Sequence, residues 1–197
     1  MMKKNLITIL CLLFSIGASS QVLRTWNWTP NAGESAEFEK AVAEKTKKYN
    51  ASKDGAYMLT FKINSGNETG SYWRIRLEDE LKNFDKKYTS GLKAMQNNAA
   101  KHARMTRSAF WNIVKRATYW PEGDNNFKKP LKRYFIYNYD GEKDADFWAF
   151  RYKVQGAIKE SGVDINMTTL QCFAGCQGNQ VMVIFSHSNF EDFQNDN

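Results

Sequence analysis

Two short runs at a fixed offset constrain this chain more than any other feature. Val22-Leu23-Arg24-Thr25-Trp26-Asn27-Trp28 alternates large apolar with polar residues, as a half-buried strand does. Leu131-Lys132-Arg133-Tyr134-Phe135-Ile136-Tyr137 is its counterpart, 109 residues further on. Sliding the chain by that offset aligns 22–88 with 131–197 without a gap. Identities such as Phe38/Phe147, Met58/Met167, Gly66/Gly175 and Ile75/Ile184 fall in only nine of the 67 columns, so the pattern of residue classes carries the argument.

Both runs lead through a polar turn into helical spacing. Phe38, Ala41, Val42, Lys45 and Tyr49 form one stripe; Phe147, Phe150, Val154 and Ile158 form the other. Lys45 opposite Val154 is the one discordant column, and a lysine stem can lie along apolar surface. Breakers follow at Asn50 to Gly55 and Glu160 to Val163. Two strand-like runs come next in each copy, Tyr57–Phe61 with Tyr72–Arg76, and Met167–Cys172 with Val181–Phe185. Each copy then begins another helix, at Leu81/Phe84 and Phe190/Phe193. The unit is strand, helix, strand, strand, helix, which predicts an α+β fold of two tandem β-α-β-β-α copies. The first copy continues as a long amphipathic helix, or a broken pair, over Gly91 to Val114, with a short strand near Ala117–Trp120. The second copy is shortened. The expected organisation is a signal peptide at 1–20, a first repeat at 21–121, a linker at 122–130 and a second repeat at 131–197.

Lys3 and Lys4, the apolar run Leu6–Ile16 and the small residues Ala18 and Ser20 read as a secretory signal cut before Gln21. That run is too short to span a bilayer, so the expectation is a periplasmic or secreted protein without a permanent membrane anchor. Lys3 and Lys4 carry two of the formal +7, leaving +5, a modest excess that does not call for nucleic acid. Cys172 and Cys176 remain after cleavage, and an oxidising compartment favours a disulfide over two free thiols beside a turn.

The order of elements, with the helix opening Gly33–Lys40, the hairpin Gly66–Trp73 and the patch Glu78–Leu81, resembles the dimeric α+β barrel (ferredoxin-like) superfamily. It is similar in particular to exported Bacteroidota proteins of unknown function with two such repeats. The resemblance implies that the two halves form an internal pseudo-dimer, a pseudo-dimeric α+β barrel, with homodimerisation through sheet faces as a further option. It implies no single reaction, because the superfamily includes haem enzymes, cofactor-free oxygenases and proteins without known activity.

Signatures of hydrolases, zinc proteases, phosphate-binding loops and calcium loops are absent. Of the two histidines, His102 lies on the expected long helix and is the weak candidate for a haem ligand, its surface position between Lys101 and Ala103-Arg104 being the plainer reading. His187 with the two cysteines could form a metal site, but the disulfide competes for the same sulfurs. The aromatic strand residues Trp26, Trp28, Tyr57 and Trp73, with Arg76, are the candidate ligand-binding set, if they do not simply fill the core. Glu78/Glu80 and Asp144/Asp146 suit helix starts. The segment Ile63–Trp73 lies between strands, so its glycines serve a hairpin tip and not a phosphate cradle. The functional expectation is a non-catalytic binding protein for a small apolar or aromatic molecule or a partner protein, with no cofactor or metal. The alternative is a cofactor-independent or haem-dependent oxidoreductase.

Overall fold

The computed structural model describes residues 21–50, 56–121 and 129–195. The expected signal peptide, most of the expected linker and the breaker segment 51–55 lie outside the described residues. Seven strands form one antiparallel sheet: β1 (Val22–Pro30), β2 (Met58–Lys62), β3 (Tyr72–Glu78), β4 (Ala103–Ile113), β5 (Leu131–Tyr139), β6 (Asn166–Ala174) and β7 (Asn179–His187). Their spatial order is β2-β3-β1-β4-β6-β7-β5. Four helices accompany them: α1 (Ser35–Tyr49), α2 (Thr89–Ala94), α3 (Asp144–Ser161) and α4 (Phe190–Asn195). This α+β class with antiparallel strands is the one the alternating and helical patterns predict.

The helix limits follow from local chemistry. Glu37 in the first turn of α1 and Lys47 and Lys48 in its last turn suit the dipole. Asp144 and Asp146 open α3 in the same way, and Gly162 closes it at φ 69°, a left-handed conformation that favours glycine. The hairpin expectation also holds: β2 and β3 flank the segment 63–71, and β6 and β7 flank a tighter tip at 175–178. Cys172 and Cys176 are joined in a disulfide across that second tip.

The segment 91–114 departs from the expected helix. Helical structure ends after α2 and one π-helical stretch at Met95–Ala99, and β4 begins at Ala103. Leu92, Met95, Ala99 and Ala103 keep a helical spacing that runs straight into the strand, which hides the boundary in the sequence. From Arg107 onward, Ala109, Trp111 and Ile113 recur at every second residue, and all three are buried. Near Ala117–Trp120 the structure has a single bridge, Tyr119 to Met167, in place of a strand.

The sheet curls so that one face becomes an interior. Leu23, Ile63, Trp73, Ile75, Trp111, Leu170, Met182 and Ile184 pack there, drawn from both halves of the chain. Trp73 on β3 and Tyr134 on β5 approach to 5.5 Å between ring centroids, although their strands stand far apart in the sheet order. The buried Trp111 indole donates to Thr25 Oγ1 at 3.1 Å, so burial leaves its N–H satisfied. The outer face carries two further cores. Phe38 and Val42 of α1 pack with Tyr72, Met95 and Ala99. Trp148 of α3 packs with Met167, Val181 and Val183.

Candidate functional site

The candidate ligand-binding residues do not converge. Trp28 packs on Phe38 at 6.0 Å, on the outer face of β1. Trp26 lies on the same face, with the Arg24 guanidinium 4.8 Å from its ring. Trp73 faces the barrel interior, and Tyr57 is exposed ahead of β2. Arg76 is a local clamp. It pairs with Glu78 at 2.6 Å, donates to the Asn83 carbonyl at 2.8 Å and lies under the Phe84 and Tyr88 rings.

A different group of residues builds a site. Between α1 and the outer face of β2 and β3 lies a cavity of about 380 Å³, lined by Phe38, Val42, Thr46, Met58, Thr60 and Tyr72 among others. Behind two of its lining residues stand two buried cations, Lys45 and Arg74. Arg74 donates through Nη2 to Thr46 Oγ1 at 3.5 Å and to Met58 Sδ at 3.7 Å, and through Nη1 to Met95 Sδ at 3.2 Å. Lys45 Nζ donates to Asn50 Oδ1 at 2.5 Å and to Met58 Sδ at 3.5 Å. Among the described residues, no carboxylate lies within 4.0 Å of either cation. Neutral sulfur, hydroxyl and amide acceptors are poor compensation for a buried charge. Burial, reinforced by the Arg74 charge, holds the Lys45 ammonium down to about 7. Burial also lowers Arg74, to about 10, so it stays charged at neutral pH.

Two further polar features face this space. Thr60 Oγ1 is buried without a hydrogen-bond partner, as is Arg74 Nε. At the mouth, Glu39 accepts from Lys62 at 2.8 Å and from the Tyr72 hydroxyl. These two donors hold the Glu39 carboxyl below its ordinary range, and burial with the Glu39 bond raises the Tyr72 phenol. The cavity can therefore take an apolar or aromatic body and offers positive potential to any negative charge that develops on it. The one sequence signal for it is Lys45, the discordant lysine in the apolar stripe of α1.

The two histidines lie away from this cavity. His102 sits in the turn between the π-helical stretch and β4, not on a helix; its carbonyl accepts from Asn31 N at 2.9 Å, and Nδ1 faces the Glu34 carboxylate at 3.6 Å. His187 is buried at the end of β7, with its ring 5.1 Å from Phe193. Neither ring lines the cavity. Among the described residues no cluster of three metal-ligating side chains occurs, and the disulfide engages both cysteine sulfurs. No helix among them is long and apolar enough to cross a membrane.

Neither a protein-family model nor a curated protein matches the chain by sequence. Solved structures match by shape. A monooxygenase candidate from Fusobacterium nucleatum is 12% identical with a TM-score of 0.61, over 90% of this chain and 80% of that one. An anthrone oxidase-like protein is 9% identical at 0.58, over 91% and 78%. Chlorite dismutase from Candidatus Nitrospira defluvii, in a point-mutant form, is 12% identical at 0.57, over 90% and 81%. At these identities the likeness shows the fold, that of the dimeric α+β barrel proteins. The expectation of a non-catalytic binding protein is corrected by the same finding: these neighbours carry the names of oxidative or dismutating enzymes, which accords with the oxidoreductase alternative.

Proposed function

We propose that the chain is a cofactor-independent oxidoreductase of the α+β barrel kind, acting in the cavity between α1 and β2–β3 on an aromatic substrate with an ionisable C–H or O–H. The reading takes the two halves as tandem copies of one ferredoxin-like unit, the first supplying the site. It takes export through residues 1–20 as the setting in which the disulfide forms. The observation that carries it is the buried Arg74 guanidinium and Lys45 amine behind the cavity wall, with no carboxylate partner among the described residues.

Such a pair lowers the cost of forming a substrate anion, which is the electron-rich species that reacts directly with dioxygen. Phe38, Val42 and the Tyr72 ring hold the aromatic body. The Tyr72 hydroxyl at the mouth is placed to hydrogen-bond its oxygens, and Arg74 and Lys45 favour the anion through Thr46 and Met58. Glu39, exposed at the mouth, gives the departing proton a route to water. For a methylene flanked by aromatic rings the overall change is oxidation to a carbonyl. Dioxygen supplies the carbonyl oxygen, and its second atom leaves as water with both methylene hydrogens.

Oxygen uptake with anthrone as the probe tests this. The expected result is uptake above buffer autoxidation, reduced about a hundredfold in Arg74→Met, the scale of losing one preorganised charge partner. No uptake with anthrone or with a panel of phenols would overturn the proposal. So would a Soret band in protein expressed with haem supply.

A further inference from the structure

The cavity between α1 and β2–β3 is electrically unbalanced. Thr46 and Met58 form part of its wall, and behind them stand the Arg74 guanidinium and the Lys45 amine, both buried. Met58 Sδ accepts from Lys45 Nζ at 3.5 Å and from Arg74 Nη2 at 3.7 Å, so two basic groups meet at one neutral sulfur. Among the described residues neither has a carboxylate within 4.0 Å. Glu39 at the mouth does not supply the missing charge, because it is engaged by Lys62 and by the Tyr72 hydroxyl. A negative charge seated in the cavity against Met58 would attract both basic groups across a medium of low polarity, where such attraction is strong. Thr46 adds a directional contact. Its hydroxyl accepts from Arg74 at 3.5 Å and keeps its own proton to donate to a ligand oxygen.

We propose that the cavity selects an aromatic acid that arrives already ionised, with one negative charge, and that Lys45 takes up a proton from water as this ligand binds. The aromatic body lies among Phe38, Val42 and the Tyr72 ring, and the acid group turns toward Thr46 and Met58. One proton moves from solvent to Lys45 Nζ, and no covalent bond to the ligand forms. Of the groups around Lys45, it alone changes charge near neutral pH. Burial and the Arg74 charge bring its amine to about 7. On α1, the bonds from Lys62 and Tyr72 hold Glu39 below the ordinary carboxylate range. From β2, Lys62 is raised by its bond to Glu39. From β3, burial raises Tyr72, and Arg74, lowered to about 10, stays charged. α2 meets the Lys45 stem at Gly91, which has no titratable side chain. Below about 7 the amine is charged before the ligand arrives; above it, binding must draw the proton in, so affinity falls as pH rises. This deepens the oxidoreductase reading by naming the charge of the substrate on entry, and rests on that reading for the cavity alone.

The probe is 2-naphthoate, an anion from pH 6 to pH 9, with 2-naphthalenemethanol as its neutral counterpart. Calorimetric titration of the protein at pH 7.5, in buffers of different ionisation enthalpy, should show about half a proton taken up per naphthoate bound and none with the alcohol. Naphthoate should bind about tenfold tighter at pH 6 than at pH 9, the equivalent of roughly one pK unit of coupling. Hydrogen exchange should place the new protection on α1, β2 and β3. In Lys45→Met the proton uptake should vanish and the pH dependence flatten. Equal affinity for acid and alcohol overturns the proposal, as do absence of naphthoate binding, zero uptake, uptake that survives in Lys45→Met, or protection elsewhere. If Lys45→Met folds poorly, the buffer series on the unmutated protein decides the matter. Naphthoate binding with proton uptake but no oxygen consumption from anthrone or phenols overturns the oxidoreductase reading alone. Oxygen consumption without naphthoate binding overturns this inference alone.

Discussion

The sheet has two helix-covered outer faces, and they are filled in opposite ways. Under α3 the space is packed with rings: Tyr139 and Phe147 stack at 4.3 Å, and Trp148 lies against both Phe147 and Tyr152. Under α1 fewer rings are present, and a cavity remains beside Tyr72 and Phe38. Each face buries one arginine against a methionine sulfur, Arg74 on Met95 and Arg151 on Met167. Arg151, however, lies 5.7 Å from the Tyr137 ring, which helps to keep its charge, and among the described residues no second cation lowers it. Arg74 shares Met58 with Lys45. The same architecture is thus filled solid on one side and leaves an open pocket backed by Arg74 and Lys45 on the other. Ring content and one extra lysine make the difference.

The largest expected effect breaks the support. Trp148→Ala removes a nearly buried indole and should cost about 3–5 kcal/mol in denaturant unfolding, with oxygen uptake by the surviving folded fraction little changed. A loss of uptake out of proportion to unfolding would mean that the α3 face takes part in the chemistry. Next, Arg74→Met should lower turnover about a hundredfold, whereas Arg151→Met should leave turnover within about twofold. Equal losses from the two would erase the distinction between the faces.

Much of this arrangement was legible in the sequence. Alternation in Val22–Trp28 and the stripes of α1 and α3 placed the strand and both long helices, and the two hairpins lie between the strand-like runs on either side of them. β4 was not legible, because the helical spacing through Ala103 overlaps the first turns of a strand whose period emerges only at Arg107. The site was only half legible. Lys45 stood out as discordant, but its meaning depends on Arg74, which reaches it through the pairing of β3 with β2 and the packing of α1. Such nonlocal contacts have no local periodicity. The aromatic strand residues were visible as a class, yet one half-turn of strand orientation decides whether each ring meets core, cavity or solvent.

Smaller effects sharpen the contrast through pH. The Lys45 amine titrates near 7 when folded and at 10.5 in the unfolded chain, so between those values the unfolded chain binds more protons. Stability of the unaltered protein should therefore rise as pH climbs through that window. Below about 7 the fold must bury the ammonium, a cost that Lys45→Met lacks. The variant should melt roughly 2–4 °C higher than the parent at pH 6, and the gap should shrink toward pH 10. A gap that is flat with pH would show that Lys45 is not the titrating group. The smallest effect expected is from Tyr72→Phe, which removes the hydroxyl that donates to Glu39 and, on the proposed reading, meets the substrate. Its stability should change by about 1 kcal/mol or less, and its main signature should be a raised KM for the probe substrate.

The contact at Gly175 bears on how the two halves stay joined. The sheet crosses from one half to the other at β4 and β6, where the register runs from Phe110 opposite Ala174 to Ile113 opposite Leu170 and shifts after its first pair, with the Tyr119–Met167 bridge beyond it. Gly175 lies just past that seam at φ 74°, and a Cβ there would come 2.2 Å from the Ser108 carbonyl oxygen. The bare backbone at this tip therefore works as a clasp on a short zipper, letting the last rung close flush. The glycine thus lets the two halves meet backbone to backbone at the end of their shared seam.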